Sequence, residues 1–213
     1  QLKARMGDDL TALAGGTDLI VAMNRGQWRP ANVLNLTSIP NGSGVLRRNG
    51  TYEIAFGTTH SELTTLPIKV LAEAALSIGG PQIRNRGTLA GNLGTASPAG
   101  DGCVALLALD AAVELNHADR GTRRVNVRDY FLDYRRTELK ADELITRMIV
   151  PANWTSAWYK IGKRGSVNIS IVCAGVGRSP DGRYAVSFGS VGPYPLRAGG
   201  VEKLLTGQKL TPG

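Results

Sequence analysis

The sequence predicts an α+β fold, and three observations carry that reading. Residues 45–56 alternate in polarity around Asn49-Gly50, the strongest short signal for a two-residue hairpin. Residues 68–78 set Leu71, Ala74, Ala75 and Ile78 at helical spacing ahead of a Gly79-Gly80-Pro81 stop. The second half then turns to strand-like runs bounded by turn residues, so mixed short elements are followed by sheet.

The elements follow in order. Ala12-Leu13-Ala14 reads as a strand, Gly15-Gly16-Thr17-Asp18 as a tight loop and Leu19–Met23 as a short helix, with Thr17 or Asp18 as its N-cap. Val33–Leu36 reads as a strand, followed by the hairpin and the helix already named. Residues 83–101 form a second loop rich in Gly, Ser, Thr and Asn. Cys103–Leu109 reads as a buried helix and Ala112–Leu115 as a strand; Asp119-Arg120-Gly121 makes a turn and Arg123–Val127 a further strand. Val127–Phe131 starts a helix or turn, and Glu143–Val150 is a strand stopped by Pro151. Trp158–Ile161 and Ile169–Val172 read as strands, and Tyr184–Gly189 pairs with the latter across Pro180-Asp181-Gly182. Gly192–Arg197 is a loop and Gly200–Leu205 starts a helix.

Composition excludes several classes of function. The chain has 213 residues, enough for one large domain or two small ones. At 42% hydrophobic and 20% charged residues it is neither disordered nor fibrous. No apolar run approaches about 18 residues, so no transmembrane segment is expected. The opening QLKARMGDDL has no apolar signal core, and its lack of a Met leads us to expect residues before it. Cys103 and Cys173 cannot build a four-cysteine site, and His60 and His117 are too few for a histidine one. No metal site is expected, so redox chemistry would need an organic cofactor or a partner. Without an export signal, both thiols are expected reduced and buried and the protein cytoplasmic.

Lys plus Arg outnumber Asp plus Glu by 25 to 17, a net charge of +8. The basic residues pair up, as in Arg47-Arg48, Arg123-Arg124, Arg135-Arg136 and Lys163-Arg164, and form no longer block. Aromatics make up only 6%, too few for a base-stacking platform. No nucleic-acid partner is expected; the paired arginines read as surface or subunit-contact residues.

The two glycine loops carry the chemistry. Backbone N–H groups close around phosphate only where no Cβ intrudes. Ala14-Gly15-Gly16-Thr17-Asp18 lies between a strand and a helix, the context of a phosphate cradle, yet matches neither Gly-x-Gly-x-x-Gly nor Walker A. In the second loop Thr88, Asn92, Thr95 and Ser97 offer side-chain donors, while Gly87, Gly91 and Gly94 allow close approach. Asp101 stands before an apolar helix, placed to cap its N–H groups or accept from ribityl or ribose hydroxyls. Two such loops suit a pyrophosphate-containing dinucleotide.

Three segments carry a family resemblance: 14–18 (AGGTD), 82–92 (QIRNRGTLAGN) and 96–101 (ASPAGD). With Ser156–Lys160 and Pro195–Ala198 they resemble, in order along nearly the whole chain, the FAD-binding medium subunit of molybdenum hydroxylases, the xanthine dehydrogenase and carbon monoxide dehydrogenase family. The resemblance implies a vanillyl-alcohol-oxidase-type fold: an FAD-binding domain of two α+β subdomains over 1–151 and a truncated α+β domain over 152–213. It implies that Leu13, Ala14, Gly15, Gly16, Thr17 and Asp18 line the pyrophosphate. Thr88, Gly91, Asn92, Thr95, Ser97 and Asp101 would bind the rest of the diphosphate and the ribityl chain. Ile78 and Gly79 would lie by the adenosine half, Ile145 and Lys160 near the flavin, and Tyr159 or Tyr194 would face the ring. The family normally carries a further strand and helix before Gln1 and more chain after Gly213. The stretches 60–69 and 151–156 are short against it and are expected to be deletions or missing segments.

The resemblance implies an electron-transfer subunit with non-covalent FAD and no catalytic residue acting on organic substrate. A molybdenum cofactor would sit in a large partner, [2Fe-2S] clusters in a small one, and the assembly would be (αβγ)2. Electrons would reach FAD from the clusters and leave to NAD, a quinone or another acceptor. Lys160 near the ring would favour reduced flavin; its plainer role is a surface lysine that pairs with Glu143 or water. His60 reads as a structural histidine rather than a proton donor. Two rivals stand beside this reading: a stand-alone FAD oxidoreductase of the same superfold, and a basic non-enzymatic binding module.

Overall fold

The computed structural model describes residues 1–165, 167–206 and 208. After helix α1 (Leu2–Met6), strand β1 (Leu10–Leu13), helix α2 (Leu19–Asn24) and strand β2 (Asn32–Asn35) form a crossover unit. Its strands run parallel, Leu10 opposite Asn32 and Leu13 opposite Asn35, a pairing that requires such a connection. Strands β3 (Val45–Arg48) and β4 (Thr51–Ala55) make the hairpin. Asn49 and Gly50 turn with φ of 46° and 76°, the two positive values that match strand twist.

Five helices follow: α3 (His60–Leu63), α4 (Lys69–Ser77), α5 (Pro81–Arg84), α6 (Leu89–Thr95) and α7 (Asp101–Ala108). Next come β5 (Ala112–His117), β6 (Gly121–Asn126), α8 (Val127–Tyr130), β7 (Phe131–Asp133), β8 (Arg136–Thr137) and β9 (Leu144–Pro151). Strands β10 (Thr155–Gly162), β11 (Ser170–Arg178), β12 (Tyr184–Gly189) and β13 (Leu196–Arg197) lead to α9 (Gly199–Leu205).

Two antiparallel sheets dominate, a five-stranded one ordered β3-β4-β9-β5-β6 and a four-stranded one ordered β10-β11-β12-β13. One core joins them: Ile54, Val113 and Met148 of the first sheet cluster with the buried residues of α4, α6 and α7. All eight residues of α7 are buried, as befits a helix apolar on every side. Its end rests directly on β11, where a Cβ on Gly177 would lie 1.9 Å from the Ala108 carbonyl oxygen. Trp154 and Trp158 pack against the same core from the second sheet's side.

The structure departs from the sequence reading in places. The glycine-rich stretch 83–101, read as a loop, holds the end of α5, all of α6 and the start of α7. Gly91 and Gly94 masked the helix, because glycine costs about 1 kcal/mol per helical position. Tertiary packing of Leu89, Ala90 and Leu93 outweighs that cost. Helices α1 and α3 and strands β7, β8 and β13 were not anticipated, being two to five residues long. The pairing of β12 with β11 is as read, with Cys173 opposite Gly189. Cys103 and Cys173 are free and buried, and burial pushes the Cys173 thiol up to about 12. Of the paired arginines, Arg123 binds Glu143 at 2.8 Å and Arg124 lies 3.5 Å from Glu114. Residues 207 and 209–213, at the end of the expected C-terminal domain, lie outside the described residues.

Candidate functional site

The first glycine loop leaves β1 and packs onto the second motif, backbone against backbone. A Cβ on Gly15 would lie 1.9 Å from the Arg86 carbonyl oxygen and 2.9 Å from Gly87 Cα. Gly16 turns the chain with φ 77°. Asp18 takes the N-cap position of α2 but makes no capping bond; its carboxylate accepts instead from Thr95 Oγ1 at 3.1 Å. The two loops, distant in sequence, therefore form one cradle, with Leu13 leading into it.

Thr88 starts α6, its hydroxyl accepting the Gly91 N–H at 3.0 Å. Thr88→Ala should lower stability by about 1 kcal/mol, measured by urea unfolding, because that N–H loses its cap. The glycine face of α6 is bare. Beyond its own helix, a Cβ on Gly91 would meet only Thr88 Oγ1, and one on Gly94 only Ile145 Cδ1 at 4.0 Å. Asn92 turns toward α7, its Oδ1 3.6 Å from Cys103 Sγ, and the Ser97 hydroxyl accepts the Ala99 N–H at 3.3 Å. Asn92 and Ser97 thus also hold the loop between α6 and α7 in shape.

One cleft opens on this cradle and a second lies beyond α5. The first, about 330 Å³, has Gly15, Arg86 and Thr88 on its floor and Leu36, Ile39 and Phe56 among its walls. Thr37, Asn41 and Ser43 line it with polar groups, and Arg86 is its only charged lining residue. The second, about 620 Å³, lies between Ser77 and Gly79 on one side and Tyr159 and Lys160 on the other. Its charged lining residues are Arg84, Lys160 and Arg164, all cations. Sequence reasoning missed residues 36–43 and Arg84, Arg86 and Arg164. The small polar run Thr37–Ser43 was the available signal for the first group; Arg84 and Arg86 lie inside the 82–92 motif and Arg164 in a basic pair, but neither pattern assigned them to a site.

Lys160 corrects the pairing expected from the sequence. Its ammonium donates to Asp101 Oδ2 at 2.6 Å and to the Ser77 carbonyl at 3.1 Å, while Glu143 is held by Arg123. Asp101 also departs from expectation. It does not cap α7, whose N-cap is Gly100, and its other oxygen accepts from Ser170 Oγ at 2.9 Å. The carboxylate is drawn to the second sheet because the lysine charge outweighs a neutral cap. Arg84 closes the far end of α4, donating to the carbonyls of Leu76, Ile78 and Gly79. Lys160 and Gly79 therefore line one cleft, whereas the resemblance placed Gly79 by the adenosine half and Lys160 near the flavin. Tyr159 is 69% exposed at that cleft, whereas Tyr194 packs against the core.

His60, the first residue of α3, is buried, and its Nδ1 has no partner. Burial, helped by the Arg84 cation, lowers its pKa from 6.5 to about 4. On acidification the unfolded chain takes up this proton first. The stabilisation of about 3 kcal/mol is therefore complete above pH 6.5 and lost as pH falls toward 4. Urea unfolding between pH 7 and 4.5 should show a steeper loss in wild type than in His60→Gln.

Among the described residues no group of three or more His, Cys, Asp and Glu could hold a metal ion, and no helix is long and apolar enough to cross a membrane. Backbone-walled clefts whose lining charges are all positive suit a phosphate-bearing cofactor. They define a nucleotide-cofactor protein on a mixed helix-and-sheet scaffold. Residues 1–153 match the FAD-binding domain of molybdopterin dehydrogenases, and the chain belongs to that family. It is 35% identical to the nicotinate dehydrogenase FAD-subunit of Eubacterium barkeri, over 93% of this chain and 72% of that one. It is 34% identical to the nicotine 6-hydroxylase medium subunit of Paenarthrobacter nicotinovorans, over 96% and 75%. Among solved structures, carbon monoxide dehydrogenase from Hydrogenophaga pseudoflava superposes with a TM-score of 0.89 at 29% identity, covering 99% of this chain and 77% of that one. The α+β class and the FAD cofactor expected from the sequence are those of this family.

Proposed function

We propose that this protein is the FAD-carrying electron-transfer subunit of a molybdenum hydroxylase. The observation that carries the reading is the contact of Gly15 with Arg86 and Gly87, which makes one cradle lining a cleft whose charged residue is Arg86. Bound FAD would supply two-electron chemistry, linking iron–sulfur clusters of a small partner to NAD, a quinone or another acceptor. The bare glycine face of α6 fits a diphosphate that needs close backbone approach, and the packing of Gly15 on Arg86 and Gly87 holds the first loop beside it.

The residues divide the work. Residues 13–18, with Thr88, Gly91 and Thr95, hold the diphosphate, and Arg86 balances its charge. The first cleft, with apolar walls at Leu36, Ile39 and Phe56 and a polar rim, takes the adenosine half. The second takes the flavin half, with Gly79 and Lys160 in its lining, Ile78 beside it and Tyr159 as the available aromatic, while Ile145 backs the glycine face of α6 at Gly94. Because Asp101 neutralises Lys160, the positive field there comes mainly from Arg84 and Arg164. The boundary at 151–152 separates the cofactor-binding domain from the C-terminal α+β domain. A large molybdenum-cofactor subunit and a small iron–sulfur subunit complete an (αβγ)2 assembly in the cytoplasm.

The test is purification from the native source, followed by a visible spectrum and release of the flavin. FAD with iron–sulfur absorbance and two co-purifying subunits is the expected result. FAD alone, reduced directly by a small substrate, would replace this reading with a stand-alone flavoenzyme. No flavin, and none taken up on addition, would overturn it.

A further inference from the structure

His60 sits beneath the cradle, and nothing in the proposed cofactor site yet uses it. Three backbone contacts fix its place. Its N–H donates to the Gly87 carbonyl at 2.9 Å, Leu89 N–H donates to the Thr58 carbonyl at 3.2 Å, and Thr59 bridges to Thr88. The Thr59 and Glu62 capping box locks the turn that carries it. The ring reaches Gly87 through Cδ2: a Cβ on Gly87 would be 3.1 Å from His60 Cδ2, 3.1 Å from the Ile83 carbonyl oxygen and 3.3 Å from Thr17 Oγ1. Gly15 in turn rests on Gly87 Cα. His60, Gly87 and Gly15 are thus layered from the core outward.

A histidine here is costly. Its buried Nδ1 has no partner, a loss of stability that a hydrocarbon side chain of similar size would avoid. Leu63, on the same short helix, is fully buried without any such cost. The ring differs from an aliphatic side chain in being planar and stiff, and such a surface sets a neighbouring backbone at a defined height.

We propose that His60 is a positioning residue of the cofactor site: its planar ring sets the height of Gly87 beneath Gly15 and so the spacing of the diphosphate cradle. This rests on the FAD reading above. It assigns the ring a role through shape and none in proton transfer.

The test uses the protein purified with its partner subunits, stripped of flavin and titrated separately with FAD, ADP and riboflavin. Wild type is compared with His60→Ala, His60→Phe and Leu63→Ala. In His60→Ala the Kd for FAD and for ADP should rise about tenfold or more, with riboflavin changed by less than about twofold. His60→Phe, which keeps a planar ring, should recover most of the FAD and ADP affinity. Leu63→Ala should lower the melting temperature without changing any of the three affinities. The proposal is overturned if His60→Ala leaves ADP binding intact, weakens riboflavin as much as ADP, or behaves like Leu63→Ala. It is also overturned if His60→Phe fails where a polar His60→Gln recovers binding. If wild type binds neither FAD nor ADP, the cofactor reading itself falls and takes this inference with it.

Discussion

Lys160→Met should destabilise the protein by about 3–5 kcal/mol, measured by urea unfolding at pH 7. The Lys160 and Asp101 side chains are only 10% and 5% exposed, with 2.6 Å between Nζ and Oδ2. Removing the ammonium leaves a carboxylate in the interior with Ser170 and Ser77 as its nearest donors. Two hydroxyls do not replace a charge, and water has little access. Asp101→Asn leaves the complementary orphan and should cost a similar amount. The double variant should lose clearly less than the sum, because no unpaired charge remains. A loss below about 1 kcal/mol in Lys160→Met would show that solvent reaches the pair. The pair also joins the start of α7 to strands β10 and β11, so its loss should loosen the second cleft first.

Gly15→Ala should reduce FAD affinity at least about a hundredfold, equivalent to about 2.8 kcal/mol, and lower stability by about 1–3 kcal/mol. Its added methyl would lie 1.9 Å from a carbonyl oxygen of Arg86. Both sides of that contact are main chain, so no rotamer change relieves it, and the two halves of the cradle must separate. Gly199→Ala is the matched control, since a Cβ there meets nothing within 4 Å. It should leave affinity unchanged and stability equal or slightly higher. Titration of the flavin-free protein with FAD checks both variants. An unchanged Kd in Gly15→Ala would detach the diphosphate from this loop.

The legible parts of the fold were those specified locally. Asn49-Gly50 forces a tight hairpin, and the spacing of Leu71, Ala74 and Ala75 requires one buried helix face. Thr59-His60-Ser61-Glu62 also carried a readable helix start, the capping box, which was overlooked for want of an apolar run behind it. By contrast, α6 was hidden because its glycines argue against a helix, and only packing of Leu89 and Leu93 restores it. The site was legible as a list of glycines, threonines and asparagines, since close approach and donors are properties of residue types. The contacts they make within the protein were not: Asn92 reaches Cys103, Ser97 accepts from Ala99, and Asp101 binds Lys160.

Alone, the sequence determined the α+β class, the two glycine motifs and the absence of enough Cys or His for a metal centre in this chain. These depend on composition and short-range pattern, which the chain carries before it folds. Tertiary structure decided what touches what: Gly15 on Gly87, Asp18 on Thr95, Lys160 on Asp101, and Gly79 in the same cleft as Lys160. The hydrogen-bonded partners Asp18 and Thr95 are 77 residues apart, and Lys160 and Asp101 are 59 apart. Local propensity holds no information about such meetings; they are set when α4 and α7 are buried between two sheets and the loops at their ends have one place left to go.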